Sequence, residues 1–192
     1  MTATPKILAF AGSTRRNSFN KKLVQIAAQG ALQNGAEATF LDLADYRLPI
    51  FDEDLEAAEG LPENVLRLKE IFIEHQGLLI ASPEYNGSVS AVLKNTIDWL
   101  SRPAPGEAGL ACFTGKVAAV MSTSPGGLGG LRGLVHIRAI LGNIGVIVLP
   151  GQVAVPKAHD AFAADGSLKD PKQQTSIQQL GHNVATIAGK LF

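Results

Sequence analysis

A short polar segment, residues 12–20, is the first feature that could do chemistry, and it reads Gly-Ser-Thr-Arg-Arg-Asn-Ser-Phe-Asn. Hydroxyl groups, an amide and two guanidinium groups stand directly before a segment with helical spacing. A helix N-terminus carries unsatisfied N–H groups and a positive dipole end, and serine and arginine add donors for phosphate oxygens. The alternative is an ordinary helix cap at Asn17 or Ser18 with solvated arginines. A cap needs one such residue and not a whole run, so the segment predicts a phosphate site.

The kind of phosphate ligand is narrowed by what this segment lacks. A nucleoside-triphosphate loop needs the spacing Gly-x-x-x-x-Gly-Lys-Ser/Thr, and the second glycine and the lysine are both missing here. The dinucleotide fingerprint Gly-x-Gly-x-x-Gly is also absent. The glycine-rich stretch 126–133 follows the wrong strand, and its last required glycine falls on Arg132. A monophosphate fits better than either ligand.

Two further polar segments follow later strands and could surround a flat ring. Residues 83–88 read Pro-Glu-Tyr-Asn-Gly-Ser, where Tyr85 offers an aromatic face, Asn86 a donor and an acceptor, and Gly87 a close backbone approach. Residues 122–130 read Ser-Thr-Ser-Pro-Gly-Gly-Leu-Gly-Gly and could present bare backbone amides to a ring edge. Either segment alone could be an ordinary turn. Together with the first segment, they predict a site for one planar, nucleotide-like cofactor.

These segments need a scaffold that brings them to one place, and the apolar pattern supplies it. Five apolar runs of strand length alternate with segments of helical spacing, which favours an α/β doubly wound parallel sheet with helices on both faces. The predicted strands are 7–11, 38–43, 77–82, 117–121 and 144–149. The loops that follow them are 12–18, 44–61, 82–88, 122–128 and 150–171. Because ligands bind outside the carboxyl ends of such strands, we expect the polar loops to form the site.

Length and composition limit the classes of protein to which this chain can belong. The 192 residues are 46% hydrophobic with zero formal net charge, which predicts one folded domain over residues 1–192. Cys112 is the only cysteine, so a disulfide framework within the chain is excluded. The sequence has no cluster of basic residues and no apolar stretch of about 18 residues. Residues 1–6 also lack the layout of a signal peptide. We therefore expect a cytoplasmic protein with neither a nucleic-acid nor a membrane partner.

The other chemically capable residues give weaker signals. The four histidines are scattered without metal-ligand spacing, so we expect no metal site. Cys112 is expected to be a buried or half-buried thiol and not a nucleophile, and Trp99 is expected to pack. The acidic run 52–59 is most simply a solvated loop.

Three motifs resemble those of a known family. The Gly-Ser-x-Arg-x-x-Ser-x-Asn segment at 12–20, the Pro-Glu-Tyr-Asn-Gly-Ser segment at 83–88 and the Ser-x-Ser-x-Gly-Gly region from Ser122 resemble the NAD(P)H-dependent FMN reductases. That flavodoxin-like group includes quinone, azo-dye and chromate reductases. The resemblance spans nearly the whole chain, including the Leu-Pro-x-Phe-Asp-x-Asp stretch at 48–54. It implies a flavodoxin-like five-stranded parallel sheet with strand order 2-1-3-4-5, and tightly but noncovalently bound FMN.

The resemblance also implies which residues hold the cofactor. Position favours Arg15 over Arg16 as the residue that faces the phosphate. No side chain is implied as catalytic, because the chemistry belongs to the flavin. The implied phosphate contacts are Ser13, Arg15, Ser18 and Asn20. The implied isoalloxazine contacts are Pro83, Glu84, Tyr85, Asn86, Gly87, Ser88, Ser122 and Gly126.

The implied activity is an FMN-dependent oxidoreductase reaction. NAD(P)H, with NADPH expected over NADH, would pass hydride to flavin N5, and two electrons would then go to a small acceptor by ping-pong exchange. The acceptor is open among a quinone, an azo compound, a metal oxyanion and free flavin. The family also implies a homodimer or homotetramer, with Phe51 near a partner subunit.

Two alternatives to this activity remain. A flavodoxin-type one-electron carrier would bind the same FMN, but such carriers are usually strongly acidic, and the zero net charge argues against that role. A non-enzymatic binding domain with an empty pocket is disfavoured by the intact loops after the first and third strands.

Overall fold

A five-stranded parallel sheet organises residues 4–192, the part of the chain that the computed structural model describes. The strands of the main sheet are β1 (Lys6–Ala11), β2 (Glu37–Leu41), β3 (Gly77–Ala81), β6 (Val117–Thr123) and β7 (Ile147–Val155), in the order β2-β1-β3-β6-β7. Counted along the chain within this sheet, that order is 2-1-3-4-5, so the predicted flavodoxin-like fold is confirmed. Residues 1–3, part of the stretch in which we expect no signal peptide, lie outside the described residues.

Helices cover the sheet on both faces, as the sequence predicts. They are α1 (Phe19–Gln33), α2 (Glu53–Glu59), α3 (Glu63–Glu74), α4 (Ala91–Leu100), α5 (Leu131–Asn143), α6 (Ala158–Ala161) and α7 (Pro171–Leu191). One core lies between the sheet and the helices α1 and α7, and the other lies between the sheet and α3, α4 and α5. No helix within residues 4–192 combines the length and the apolar character that crossing a lipid bilayer requires.

The central strands are apolar without alternation because both of their faces are buried. In β1, Ile7 and Ala9 belong to the core under α1 and α7, whereas Leu8 and Phe10 belong to the core on the opposite face. Every residue of β3 and β6 is buried. A strand covered on both sides needs apolar side chains at odd and even positions alike.

The last strand is longer than the sequence pattern predicts. We expect it to end at Leu149 and a loop to begin at Pro150, but β7 continues to Val155. Its pairing with β6 shifts from Ala118↔Val148 to Val120↔Gln152, so the chain bulges around Pro150 and then resumes the ladder. Proline is tolerated there because β7 is an edge strand.

Two segments expected to be loops contain regular structure. Residues 53–59 of the acidic run form α2, which is capped by the Asp52 carboxylate accepting from the Asp54 N–H. Residues Glu84–Val89 form a two-stranded hairpin, β4 (Glu84–Tyr85) and β5 (Ser88–Val89), and α4 begins at Ala91.

Candidate functional site

A pocket of about 260 Å³ opens at the carboxyl edge of the sheet, between the chain segments that follow β1, β3 and β6. The predicted site residues that line it are Ser13, Arg15, Ser18, Asn20, Pro83, Glu84 and Tyr85. Four further lining residues are Phe19, Thr123, Ser124 and Pro125. The sheet therefore brings the three predicted loops to one place.

Ser18 stands at the N-terminus of α1, where a phosphate site is predicted. It occupies the N-cap position with extended backbone, yet its hydroxyl makes no capping hydrogen bond. The residue is only 3% exposed. The first N–H groups of the helix and this hydroxyl thus face the pocket without a protein partner on the cap, which is the arrangement that suits an anion.

Arg15 is held at the mouth of the pocket by an aromatic side chain. Its guanidinium carbon lies 5.5 Å from the centre of the Phe19 ring. Phe19 in turn stacks on Phe162 and meets the edge of His159, with ring centroids 5.5 Å and 5.1 Å away. Arg15 also lines an adjoining pocket of about 320 Å³, whereas Arg16 lines neither pocket.

The adjoining pocket continues the first one along the carboxyl edge. Both share Ser13, Arg15 and Tyr85, and the second extends past Thr14 to the start of α4 at Ala91. Tyr85 is 61% exposed and stands between the two. A ligand longer than either pocket can therefore lie across both.

Asn20 and Ser122 tie the loops together as well as standing near the site. The Asn20 amide donates to the Thr123 carbonyl at 2.9 Å and accepts from the Thr123 N–H at 3.1 Å. Ser122 is fully buried, and its hydroxyl donates to the Ser82 carbonyl at 2.7 Å. Ser122 therefore lies behind the pocket, whose wall is formed by the next three residues of the chain.

The remaining predicted ring contacts lie near the pocket but do not line it. Asn86 and Gly87, with φ of 52° and 78°, form the two-residue turn of the β4–β5 hairpin. Ser88 begins the second strand of that hairpin. The Gly126 carbonyl accepts from the Lys157 N–H and, at 3.4 Å, from the Gly129 N–H. Contacts of these four residues with a cofactor stay predictions.

The Glu84 carboxylate adds no free negative charge to the pocket. It is bonded to Arg132 and to the Gly133 N–H, at 2.8 Å and 3.1 Å. Burial raises the pKa of Glu84, but these bonds lower it by more, so the net shift is downward and the group is ionised and paired. The phosphate end of the pocket keeps the positive charge of Arg15.

The fold and this site define a flavodoxin-like flavoenzyme, and the comparisons with known proteins agree. The chain belongs to the NADPH-dependent FMN reductase family, whose model matches residues 5–160. An NAD(P)H-dependent FMN reductase of Pseudomonas aeruginosa is 38% identical over 175 residues, which cover 91% of this chain and 90% of that protein. An NADPH:quinone oxidoreductase of Arabidopsis thaliana is 36% identical over 184 residues, covering 91% and 87%.

A solved structure extends this likeness over the whole fold. FerB, an NAD(P)H:(acceptor) oxidoreductase from Paracoccus denitrificans, matches with a TM-score of 0.80 at 31% identity, covering 97% of this chain and 98% of that one. The predicted family is confirmed. The chain is an oxidoreductase, and FMN and NAD(P)H are the cofactors of its family.

The residues present fit FMN. A buried serine at an uncapped helix N-terminus and an arginine without an acidic partner in the described chain suit the phosphate. Residues 83–85 and 123–125 form the wall beyond it. In contrast, no group of three or more His, Cys, Asp or Glu side chains within residues 4–192 is placed to hold a metal ion.

Sequence reasoning missed Phe19 and the turn of the hairpin. Phe19 directly follows the N-cap. The signal in the sequence is an aromatic residue four positions after Arg15, a spacing at which the guanidinium and the ring can meet. Asn86-Gly87 is a strong signal for a two-residue hairpin turn, whereas from the sequence we expect only an ordinary turn or a ligand contact there.

Proposed function

We propose that this chain binds FMN and reduces a small acceptor at the expense of NAD(P)H. The observation that carries the proposal is one pocket with two unlike ends. Ser13, Arg15 and Ser18 provide donors at the N-terminus of α1, and the residues that follow β3 and β6 form the walls beyond them. Those ends suit the phosphate and the flat ring of FMN.

The phosphate would be held by Arg15, by the Ser18 hydroxyl and by the first N–H groups of α1. The Ser13 hydroxyl accepts from the Arg15 N–H at 3.3 Å, so its own hydrogen is left to donate. These donors are fixed before the ligand arrives, because Ser13 and Ser18 are buried and Arg15 rests on Phe19. Asn20 would act mainly by tying this loop to Thr123.

The ring would lie between the backbone of Pro83–Tyr85 and that of Thr123–Pro125, with one face open to solvent. When bound, FMN would supply the redox chemistry, with hydride from NAD(P)H passing to N5 and two electrons then passing to the acceptor in ping-pong exchange. The protein orients the ring and offers N–H donors, among which we propose those of Asn86, Gly87 and the 122–127 segment, where negative charge develops.

The acceptor that we propose is a small molecule of the quinone class. The name of the Arabidopsis relative supports this choice. An azo compound, a metal oxyanion or free flavin would be a different outcome of the same acceptor assay. A preference for NADPH, a single domain over residues 1–192, a homodimer or homotetramer and a cytoplasmic location stay predictions.

Equilibrium dialysis against FMN, followed by stopped-flow mixing with NADPH, tests the proposal. We expect stoichiometric FMN uptake and loss of the yellow absorbance on mixing, with recovery when a quinone is added. FMN uptake without bleaching by NADPH or NADH would indicate a one-electron carrier. No FMN uptake by folded protein would remove the proposed function altogether.

A further inference from the structure

Glu84 lies at the start of the β4–β5 hairpin, but its carboxylate is directed at a different element. One oxygen accepts from the Gly133 N–H at 3.1 Å, and the other accepts from Arg132 Nε at 2.8 Å. The Glu84 side chain is 8% exposed, whereas that of Arg132 is 66% exposed. A buried carboxylate on the pocket wall is thus fully paired by the first turn of α5.

Helix α5 lacks the N-terminal groups that helices usually supply for themselves. Its N-cap is Gly130, in the left-handed region with φ of 89°, and no side chain caps it. Its own first turn holds no acidic residue. The Glu84 carboxylate satisfies one of its free N–H groups and places negative charge at the positive end of the helix dipole.

The hairpin rests directly on this helix because glycine removes the side chains between them. A Cβ on Gly133 would lie 3.3 Å from the Ser88 carbonyl oxygen and 3.5 Å from the Glu84 Cβ. On the second strand of the hairpin, the Ser88 hydroxyl is 2.8 Å from Nδ1 of His136, one turn further along α5. Each strand of the hairpin is therefore linked to α5 through one of its side chains, Glu84 on β4 and Ser88 on β5.

We propose that Glu84 is a positioning residue that fixes the hairpin to α5 and thereby sets Tyr85 and the Asn86–Gly87 turn against the flavin ring. The hairpin has only two residue pairs, and so short a ribbon has little stability without an anchor. The proposal rests on the proposed function, since it concerns the ring end of the bound FMN.

The test compares ligands with and without the phosphate. Apoprotein is titrated with FMN and with riboflavin, following the quenching of flavin fluorescence, for the wild type and for Glu84→Gln, Arg132→Met and the double variant. We expect Glu84→Gln to weaken both ligands by the same factor, about ten-fold, since a charge-assisted bond is lost at the ring end. We expect the double variant to be no weaker than Glu84→Gln, because both changes break one link.

Glu107→Gln is the matched control. Glu107 is also largely buried and paired, with Lys69 at 2.7 Å, but it precedes β6 and so lies at the opposite edge of the sheet. We expect this variant to bind both ligands within two-fold of the wild type. Bound flavin in Glu84→Gln should also show shifted visible absorption maxima, which the control should not.

Three results would overturn the positioning role. They are unchanged affinities in Glu84→Gln, a loss confined to FMN with riboflavin unaffected, and an equal loss in Glu107→Gln. If Glu84→Gln does not fold, Arg132→Met alone tests the proposal, because the Arg132 side chain is exposed. For Arg132→Met we expect a several-fold loss of affinity for both ligands. Failure of the wild type to bind FMN would instead contradict the proposed function.

Discussion

The two edges of the sheet both bury polar side chains with protein partners, but the carboxyl edge also holds donors in its pocket that have no such partner among residues 4–192. At the amino edge, Lys69 donates to the carbonyl oxygens of Leu100 and Arg102, at 3.4 Å and 2.7 Å, and pairs with Glu107. Lys116 donates to the carbonyl oxygen of His75. Each ammonium group is thus bonded to protein atoms.

At the carboxyl edge, two donors that line the pocket are not paired in this way within the described chain. The Ser18 hydroxyl makes no cap bond, and within residues 4–192 Arg15 contacts an aromatic face and has no acidic partner. A buried donor that is satisfied stabilises the fold, and one that is left free can bind a ligand. The comparison therefore separates a structural edge from a binding edge.

The largest expected effect is at the amino edge, on stability. Lys69→Met leaves Glu107 without its cation and removes two further bonds, so we expect the free energy of unfolding to fall by about 3 kcal/mol. Urea denaturation measures this change. Lys6→Met, which removes an exposed pair with Glu74 at the same edge, serves as the control and should leave the unfolding midpoint in place. A loss of FMN affinity in folded Lys69→Met would contradict the separation of the edges.

The next effect is at the carboxyl edge, on affinity. Arg15→Ala removes a charge-assisted contact with phosphate, so the FMN dissociation constant should rise by one to two orders of magnitude, from about 1.5–3 kcal/mol of binding energy. Fluorescence titration of the apoprotein measures it. Arg16→Ala, an exposed neighbour that lines neither pocket, should bind FMN as the wild type does. Equal losses in the two variants would mean that general charge, and not the position of Arg15, attracts the ligand.

A smaller effect is expected on acidification, and it concerns both edges. Burial raises the pKa of Glu84 and of Glu107, but the bonds from Gly133 and Arg132, and from Ala104 and Lys69, lower it more, so both net shifts are downward from 4.5. A carboxyl group with a lowered folded-state pKa stabilises the fold above its unfolded pKa, and the contribution is lost as the pH falls through the folded value. The unfolding free energy should therefore decline below pH 4.5, and less steeply in Glu84→Gln and in Glu107→Gln. Identical slopes in all three proteins would show that neither carboxylate is linked to folding.

The smallest effect is expected at Cys112, near the amino edge. Burial raises the pKa of this thiol to about 11, more than the nearby Lys69 lowers it, and the residue has no exposed surface. At pH 8 only about one thiol in a thousand would be ionised even if reagents reached it. A thiol reagent should leave the folded protein unmodified and its FMN affinity unchanged, and it should label the protein in urea. Rapid labelling of folded protein would show that this edge opens.

Much of the fold follows from local pattern, which is why the sequence predicts it. The strands β1, β3 and β6 are apolar at consecutive positions because both faces are covered, and the helices repeat their apolar residues with helical spacing. The bulge that carries β7 past Pro150 depends on pairing with β6, a contact that the sequence of β7 alone does not reveal.

The candidate site, like the fold, can be predicted only in part from the sequence. The three loops are recognisable because their polar and glycine residues follow strands, and a parallel sheet brings such loops together. The tasks of Asn20, Ser122 and Glu84 are not recognisable, because each side chain bonds to an atom at least forty residues away. The residue types show that these positions are polar, but only the fold decides which of their polar groups are already hydrogen-bonded within the protein.

The bulge in β7 also has a consequence for self-association. An edge strand has unpaired backbone N–H and C=O groups, which can pair with a strand of another molecule and lead to aggregation. Pro150 lacks an N–H to offer, and the register shift beside it interrupts the row of amides that an incoming strand would need. This border of the sheet is protected against intermolecular strand addition, so an assembly of several copies would have to be joined through other surfaces.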